Sequence, residues 1–186
     1  MILKKRTVVD ATIIASPSST KNKSKSKDPD MSSTKKGSRW YFGTKAHIGV
    51  DSDTGTIHSL STTTAKTSDK AMFESCLHGE EKAKFADKGY FDETLKKEAR
   101  QNDIYWGRLD KNKRNHPLLN SQHKHNHIKA SIRAKVEFPF KVLKCQWHYT
   151  KTRYNGLMKN TAQLFAVFGL INLYLQRRAL LYANVT

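Results

Sequence analysis

The chain has 186 residues and a mass of 21.3 kDa, enough for one domain with a sizeable core. Hydrophobic residues make up 37%, which argues against full disorder, and 34 Lys/Arg against 16 Asp/Glu leave a net charge of +18. A surplus this large repels itself unless a polyanion is present, so nucleic acid is the expected partner and an anionic membrane surface the second choice. Cys76 and Cys145 stand far apart with no CxxC pair, which excludes a zinc ribbon, argues against a disulfide framework and fits a reducing cytoplasm. The opening MILKKRTVVD lacks the apolar core and small-residue cleavage site of a signal peptide.

Residues 6–14 (RTVVDATII) are β-branched and apolar and predict a buried strand. Residues 15–39 carry seven Lys/Arg among Ser, Thr and Asn and read as a mobile basic loop, either a solvated linker or a phosphate-contacting arm. Residues 40–51 and 56–65 predict two strands joined by DSDTG, where Gly55 supplies the positive φ of a hairpin turn. A helix with a capping serine is expected over 68–77, a short strand over 83–87, a helix opening on acids over 92–102 and a strand over 103–109.

Residues 110–127 are polar and basic and read as a second loop. A helical period follows over 128–147, with Ile132, Val136, Phe140, Leu143 and Trp147 on one face and Pro139 marking a kink or restart. A last helix over 157–181 places Leu164, Phe168, Ile171 and Leu175 on one side. Its uncharged stretch, 160–176, is shorter than the roughly 20 apolar residues of a membrane span, so it reads as a buried helix and no membrane partner is expected. This order predicts an α/β chain: a single domain over 1–181 with a tail at 182–186, built as a ribonuclease-H-like mixed sheet flanked by helices, with a long basic loop after the first strand.

Most acids fit turns, helix starts or solvated positions, Glu80 and Glu81 among them. Three do not. Asp10 lies inside an apolar strand, where a charge is costly unless a basic partner, an edge position or a function compensates it. Asp87 ends a strand before a glycine turn; it is either a capping turn residue or a side chain pointed into a crevice. Glu137 is the only acid from position 111 to the end, against 14 Lys/Arg. Helical spacing sets Arg133, Glu137, Lys141 and Lys144 on one face, which reads either as a carboxylate stabilised by its neighbours or as a metal ligand flanked by phosphate-binding cations. Three carboxylates from two strands and a helix suit Mg²⁺ or Mn²⁺, hard ions that prefer oxygen and serve phosphoryl transfer.

The segment Asp87-Lys88-Gly89-Tyr90-Phe91 resembles the D-(1-2)-G-Y-F motif of DDE transposases, and Arg133, Glu137 and Lys144 match the R-(3)-E-(6)-K part of their signature. With VVDATII, KKGSRWYFGTKAHIGVD and KASIRAKVEFPF, the chain is similar to the insertion sequence five family over roughly residues 6–177. The resemblance implies a catalytic and metal-binding triad of Asp10, Asp87 and Glu137, with Mg²⁺ or Mn²⁺ as cofactor and Arg133 and Lys144 gripping phosphate. It also implies double-stranded DNA as partner, at element ends and target, a homodimer on paired ends, and cytoplasmic action. Tyr90 and Phe91 would pack the turn below Asp87 or stack near a displaced base. The signature tyrosine is replaced by Ala130, and about five residues precede the first strand where relatives carry a helical DNA-binding region, so a truncated transposase is expected.

Two other classes answer to the same features: a non-catalytic basic nucleic-acid binder, in which the three acids need not converge, and a hydrolysis-only ribonuclease-H-like nuclease. His123, His125 and His127, with His116, invite zinc, but no cysteine lies nearby and a basic loop is the plainer reading. Trp106 and Trp147 are expected in the core.

Overall fold

The computed structural model describes residues 5–21, 25–90, 93–110 and 117–182. Phe91, Asp92, His116 and the tail from 183 onward, on which expectations were placed, lie outside the described residues. Six strands form one sheet: β1 (Arg6–Ala15), β2 (Ser32–Lys36), β3 (Arg39–Asp51), β4 (Ile57–Thr64), β5 (Ala83–Ala86) and β6 (Tyr105–Trp106). β3 takes β2 and β4 as antiparallel partners and runs antiparallel to β1, and β5 and β6 then add in parallel. The helices are α1 (Glu93–Gln101), α2 (Asn120–Arg133), α3 (Glu137–Lys141) and α4 (Leu157–Tyr182). This mixed sheet with flanking helices is the ribonuclease-H-like arrangement that the element order predicts.

Strand alternation divides the core. Val8 and Phe85 join Val136, Leu143, Leu164, Phe168 and Ile171 on the face covered by α3 and α4. Val9 and Ala86 turn to the other face, against Phe73, Cys76 and Tyr90, with Leu95 of α1 and Trp106 partly buried beside them. The expected helical stripe is present: Ile132, Phe140 and Trp147 pack partly buried against the main core beside Val136 and Leu143.

Several elements differ from the sequence reading. The expected 15–39 loop contains β2, paired from Ser32–Gly43 to Lys36–Arg39; the aromatic start of β3 offers backbone partners that a polar composition conceals. The expected 110–127 loop is helical from Asn120. No residue of α2 is buried. Instead Asn126 exchanges hydrogen bonds with the Asp110 backbone at 2.8 and 3.1 Å, and Lys129 reaches the Arg108 carbonyl at 3.0 Å.

Over 68–77 two 3₁₀ turns, Lys70–Met72 and Glu74–Cys76, replace the expected helix. Three residues per turn align Phe73 and Cys76, both fully buried, on the sheet. The strand expected over 103–109 shrinks to β6. α4 is long and apolar enough to cross a membrane by length and composition alone. Asn172 ties it to the Ile57 backbone at 2.8 and 2.7 Å, and Gln176 to the Thr54 carbonyl at 2.6 Å. Only one face of it is buried, through Asn160, Leu164, Phe168 and Ile171, while Met158, Phe165, Leu170 and Leu173 are exposed.

Candidate active site

β1 overhangs β5. The last paired residues are Val9 and Ala86, so the next residue on each strand is a carboxylate, Asp10 and Asp87. Backbone groups alternate between the two edges of β1. The Arg6 carbonyl accepts from Ser52 on the β3 side, and the Lys5 carbonyl accepts from Lys82 and Ala83 on the β5 side. Beyond Val9, among the described residues, no further named strand lies on the β5 side; side chains serve Ala11 and Ile13, and an isolated backbone bridge to Lys151 serves Ala15. The Ala11 amide donates to Asp10 Oδ1 at 2.8 Å, Lys144 Nζ donates to the Ile13 carbonyl at 2.9 Å, and Ala15 exchanges bonds with Thr150 and Thr152 at 3.1 and 2.8 Å.

The third carboxylate comes from the helical run that packs on this face. α2 ends at Arg133, a single 3₁₀ turn covers Ala134–Val136, and α3 opens at Glu137 with Pro139 as its third residue. Buried Val136 fixes the run to the core that also holds Val8. Arg133 then lies among all three acids: Nη2 is 3.8 Å from Asp10 Oδ2 and 3.7 Å from Glu137 Oε1, and Nη1 is 3.6 Å from Asp87 Oδ1. Asp10 is the most enclosed of the three, its side chain 21% exposed against 46% for Asp87 and 64% for Glu137. Burial raises the Asp10 pKa above the ordinary carboxyl value, and the nearby Asp87 adds to this, while the Ala11 amide and Arg133 oppose it.

The four residues expected on one helical face do not act alike. After Lys141 a π turn spans Val142–Gln146, which changes the rotation per residue and swings Lys144 to the β1 edge. Lys144 is partly buried there, and burial lowers its pKa. Arg133 faces the acids. Lys141 is exposed. The two cations expected to grip phosphate are held differently: the Arg133 guanidinium lies among carboxylates, and the Lys144 ammonium donates to a backbone carbonyl.

As donors, three carboxylates fit a hard divalent ion in kind. In the present spacing, among the described residues, no group of three or more His, Cys, Asp or Glu is placed to hold a metal directly, and the Arg133 guanidinium lies between the acids. His123, His125 and His127 form no such group either; they are exposed on α2, where alternate positions face different ways.

The sequence reading missed Lys36, whose charge at the end of β2 acts on both Asp10 and Lys144. It also misplaced Glu81, which is buried and accepts from Thr7 Oγ1 at 3.2 Å and from the His78 and Gly79 amides at 2.6 and 3.0 Å. Tyr90 packs rather than stacks on a base: it is 2% exposed, with its ring 5.7 Å from that of Phe73. A family model described as a transposase DDE domain matches residues 3–173.

Proposed function

Because the chain belongs to the transposase DDE-domain family, we propose that Asp10, Asp87 and Glu137 form its catalytic and metal-binding triad. The reaction is phosphodiester hydrolysis at the ends of an insertion element followed by strand transfer into target DNA. The observation that carries the reading is the convergence of three carboxylates, two from adjacent strand ends and one from a packed helix, on one guanidinium at 3.6–3.8 Å. A non-catalytic DNA binder has no need to gather its acids in one place. The 133–144 segment serves as the Arg-Glu-Lys signature of the insertion sequence five type.

The triad would hold Mg²⁺ or Mn²⁺, which supplies positive charge against phosphoryl oxygens as negative charge builds on them. The chain's own residues supply the rest. Lys141, exposed one turn past Glu137, meets backbone phosphate. Lys144 holds the β1 edge in place, so that Asp10 stays aligned beside Asp87. The surrounding +18 charge draws duplex DNA from solution, and the chain acts as a homodimer on paired ends.

The test uses duplexes taken from the DNA flanking the coding sequence, with Mg²⁺ or Mn²⁺. Cleavage that leaves a 3′-hydroxyl, followed by joining of a precut end to a plasmid, is the expected result. Glu137→Gln and Asp10→Asn should each lower both steps by about 10²–10³-fold, the scale of losing a group that stabilises the transition state, with duplex binding retained. Cleavage without joining would point to a hydrolysis-only nuclease. Salt-sensitive binding with neither step would refute the catalytic reading.

A further inference from the structure

Arg133 contacts every acid of the site, yet it is bonded to none in the directed way arginine favours. Its three separations, 3.6, 3.7 and 3.8 Å, exceed hydrogen-bond length. Its Nε is buried with no hydrogen-bond partner among the described residues. An arginine that braced one carboxylate permanently would fork onto it through two short bonds. An arginine committed to phosphate would offer its fork to solvent, whereas this side chain is 21% exposed. Charge, not bond geometry, keeps it where it is.

We infer that Arg133 is the resident counter-ion of the triad: it gathers Asp10, Asp87 and Glu137 when no divalent cation is bound and is displaced from their centre when one enters. The inference rests on the proposed role of the three acids as metal ligands. Two cations that compete for the same carboxylates weaken each other's hold, and linkage makes the effect reciprocal. Removing the guanidinium therefore tightens divalent binding. It also leaves like charges facing one another in the ion-free protein, which destabilises that form.

The experiment needs no DNA and no turnover. Mn²⁺ binding is titrated calorimetrically on the wild-type chain and on Arg133→Gln, Arg133→Lys, Asp10→Asn and Glu137→Gln. Each is also melted with and without saturating Mg²⁺. Arg133→Gln should bind Mn²⁺ about tenfold tighter, inside the usual range of site-to-site coupling. It should melt below the wild type without the ion and gain more from adding it. Arg133→Lys should fall between, because a single ammonium reaches fewer carboxylates than a planar fork. If Arg133→Gln does not fold, Arg133→Lys carries the test alone: tighter binding than wild type supports the inference, and equal or weaker binding overturns it. Mn²⁺ binding that is lost in Asp10→Asn and Glu137→Gln but unmoved by the Arg133 variants sinks the counter-ion role and leaves the triad standing. Binding that survives both acid variants, or no binding in any chain, overturns the triad and the counter-ion role together.

Discussion

Replacing Lys144 by methionine keeps an unbranched side chain of similar length and removes only the ammonium. The structure gives that ammonium one defined task, the 2.9 Å bond to the Ile13 carbonyl on the edge of β1 beyond its pairing with β5. A hydrogen bond from a charged donor contributes about 1.5–3 kcal/mol, and a carbonyl left unpaired adds to the loss. Against this, burial lowers the Lys144 pKa, so its charge already sits at a cost that methionine removes. The net expectation is a loss of about 1–2 kcal/mol. For a domain of this size that lowers the melting temperature by roughly 2–8 °C. Thermal melts without DNA measure this, and fluorescence anisotropy on a short duplex over a range of salt measures the DNA side. Each phosphate contact contributes about 0.9 to the slope of log K against log salt. The slope should stay unchanged within half of that. An unaltered melting temperature together with a slope reduced by about 0.9 would make Lys144 a phosphate contact and refute the edge-capping argument.

Three further perturbations separate stability from chemistry. Asp10 has its pKa raised by burial first, so the folded state holds the proton more tightly than the unfolded chain and ionisation at neutral pH works against folding. Asp10→Asn should therefore gain about 0.5–2 kcal/mol in urea titrations at pH 7 while abolishing cleavage; lower stability would contradict the cost assigned to its charge. His47 is 1% exposed, and burial depresses its pKa to about 4, so it supports the fold fully above the unfolded value near 6.5 and progressively less as pH falls toward 4. In urea titrations the loss between pH 7.5 and 4.5 should be smaller by roughly 2–3 kcal/mol in His47→Asn than in the wild type, the variant keeping the part due to His58, whose pKa burial also depresses to about 4; matching profiles for the two chains would remove His47 from the account. A Cβ on Gly49 would lie 1.9 Å from the Cys76 carbonyl oxygen, so Gly49→Ala must push the second 3₁₀ turn off the sheet and should cost about 3 kcal/mol. A cost below 1 kcal/mol would mean that this contact is looser than described.

What the sequence alone determined is what short-range pattern can carry. The run VVDATII sets an acid in an apolar strand, and β1 forms over Arg6–Ala15 as that composition demands. The spacing of Ile132, Val136, Phe140, Leu143 and Trp147 marks one helical face, and that face meets the core. Glu137 stood out because it is alone among cations, and the net charge named the partner class before any fold was known. Each of these signals is read from composition or from spacing along the chain, without any contact between distant segments.

The remainder depended on contacts distant in sequence. The register that sets Val9 beside Ala86, and so Asp10 beside Asp87, is fixed by pairing across more than 70 residues of chain. Arg133 and Lys144 look alike on a helical wheel. A π turn and the edge of β1 beyond its pairing with β5 send one to the acids and the other to a carbonyl. β2 and the polar helix α2 escaped because their stabilising partners, the aromatic start of β3 and the backbone at 108–110, lie outside their own residues. Glu81 looked like a surface acid because nothing nearby in the chain reveals that Thr7, 74 positions away, approaches it. Periodicity tells a side chain which face it is on; only packing decides what waits there, because backbone groups and charges removed from water must find partners wherever the fold supplies them.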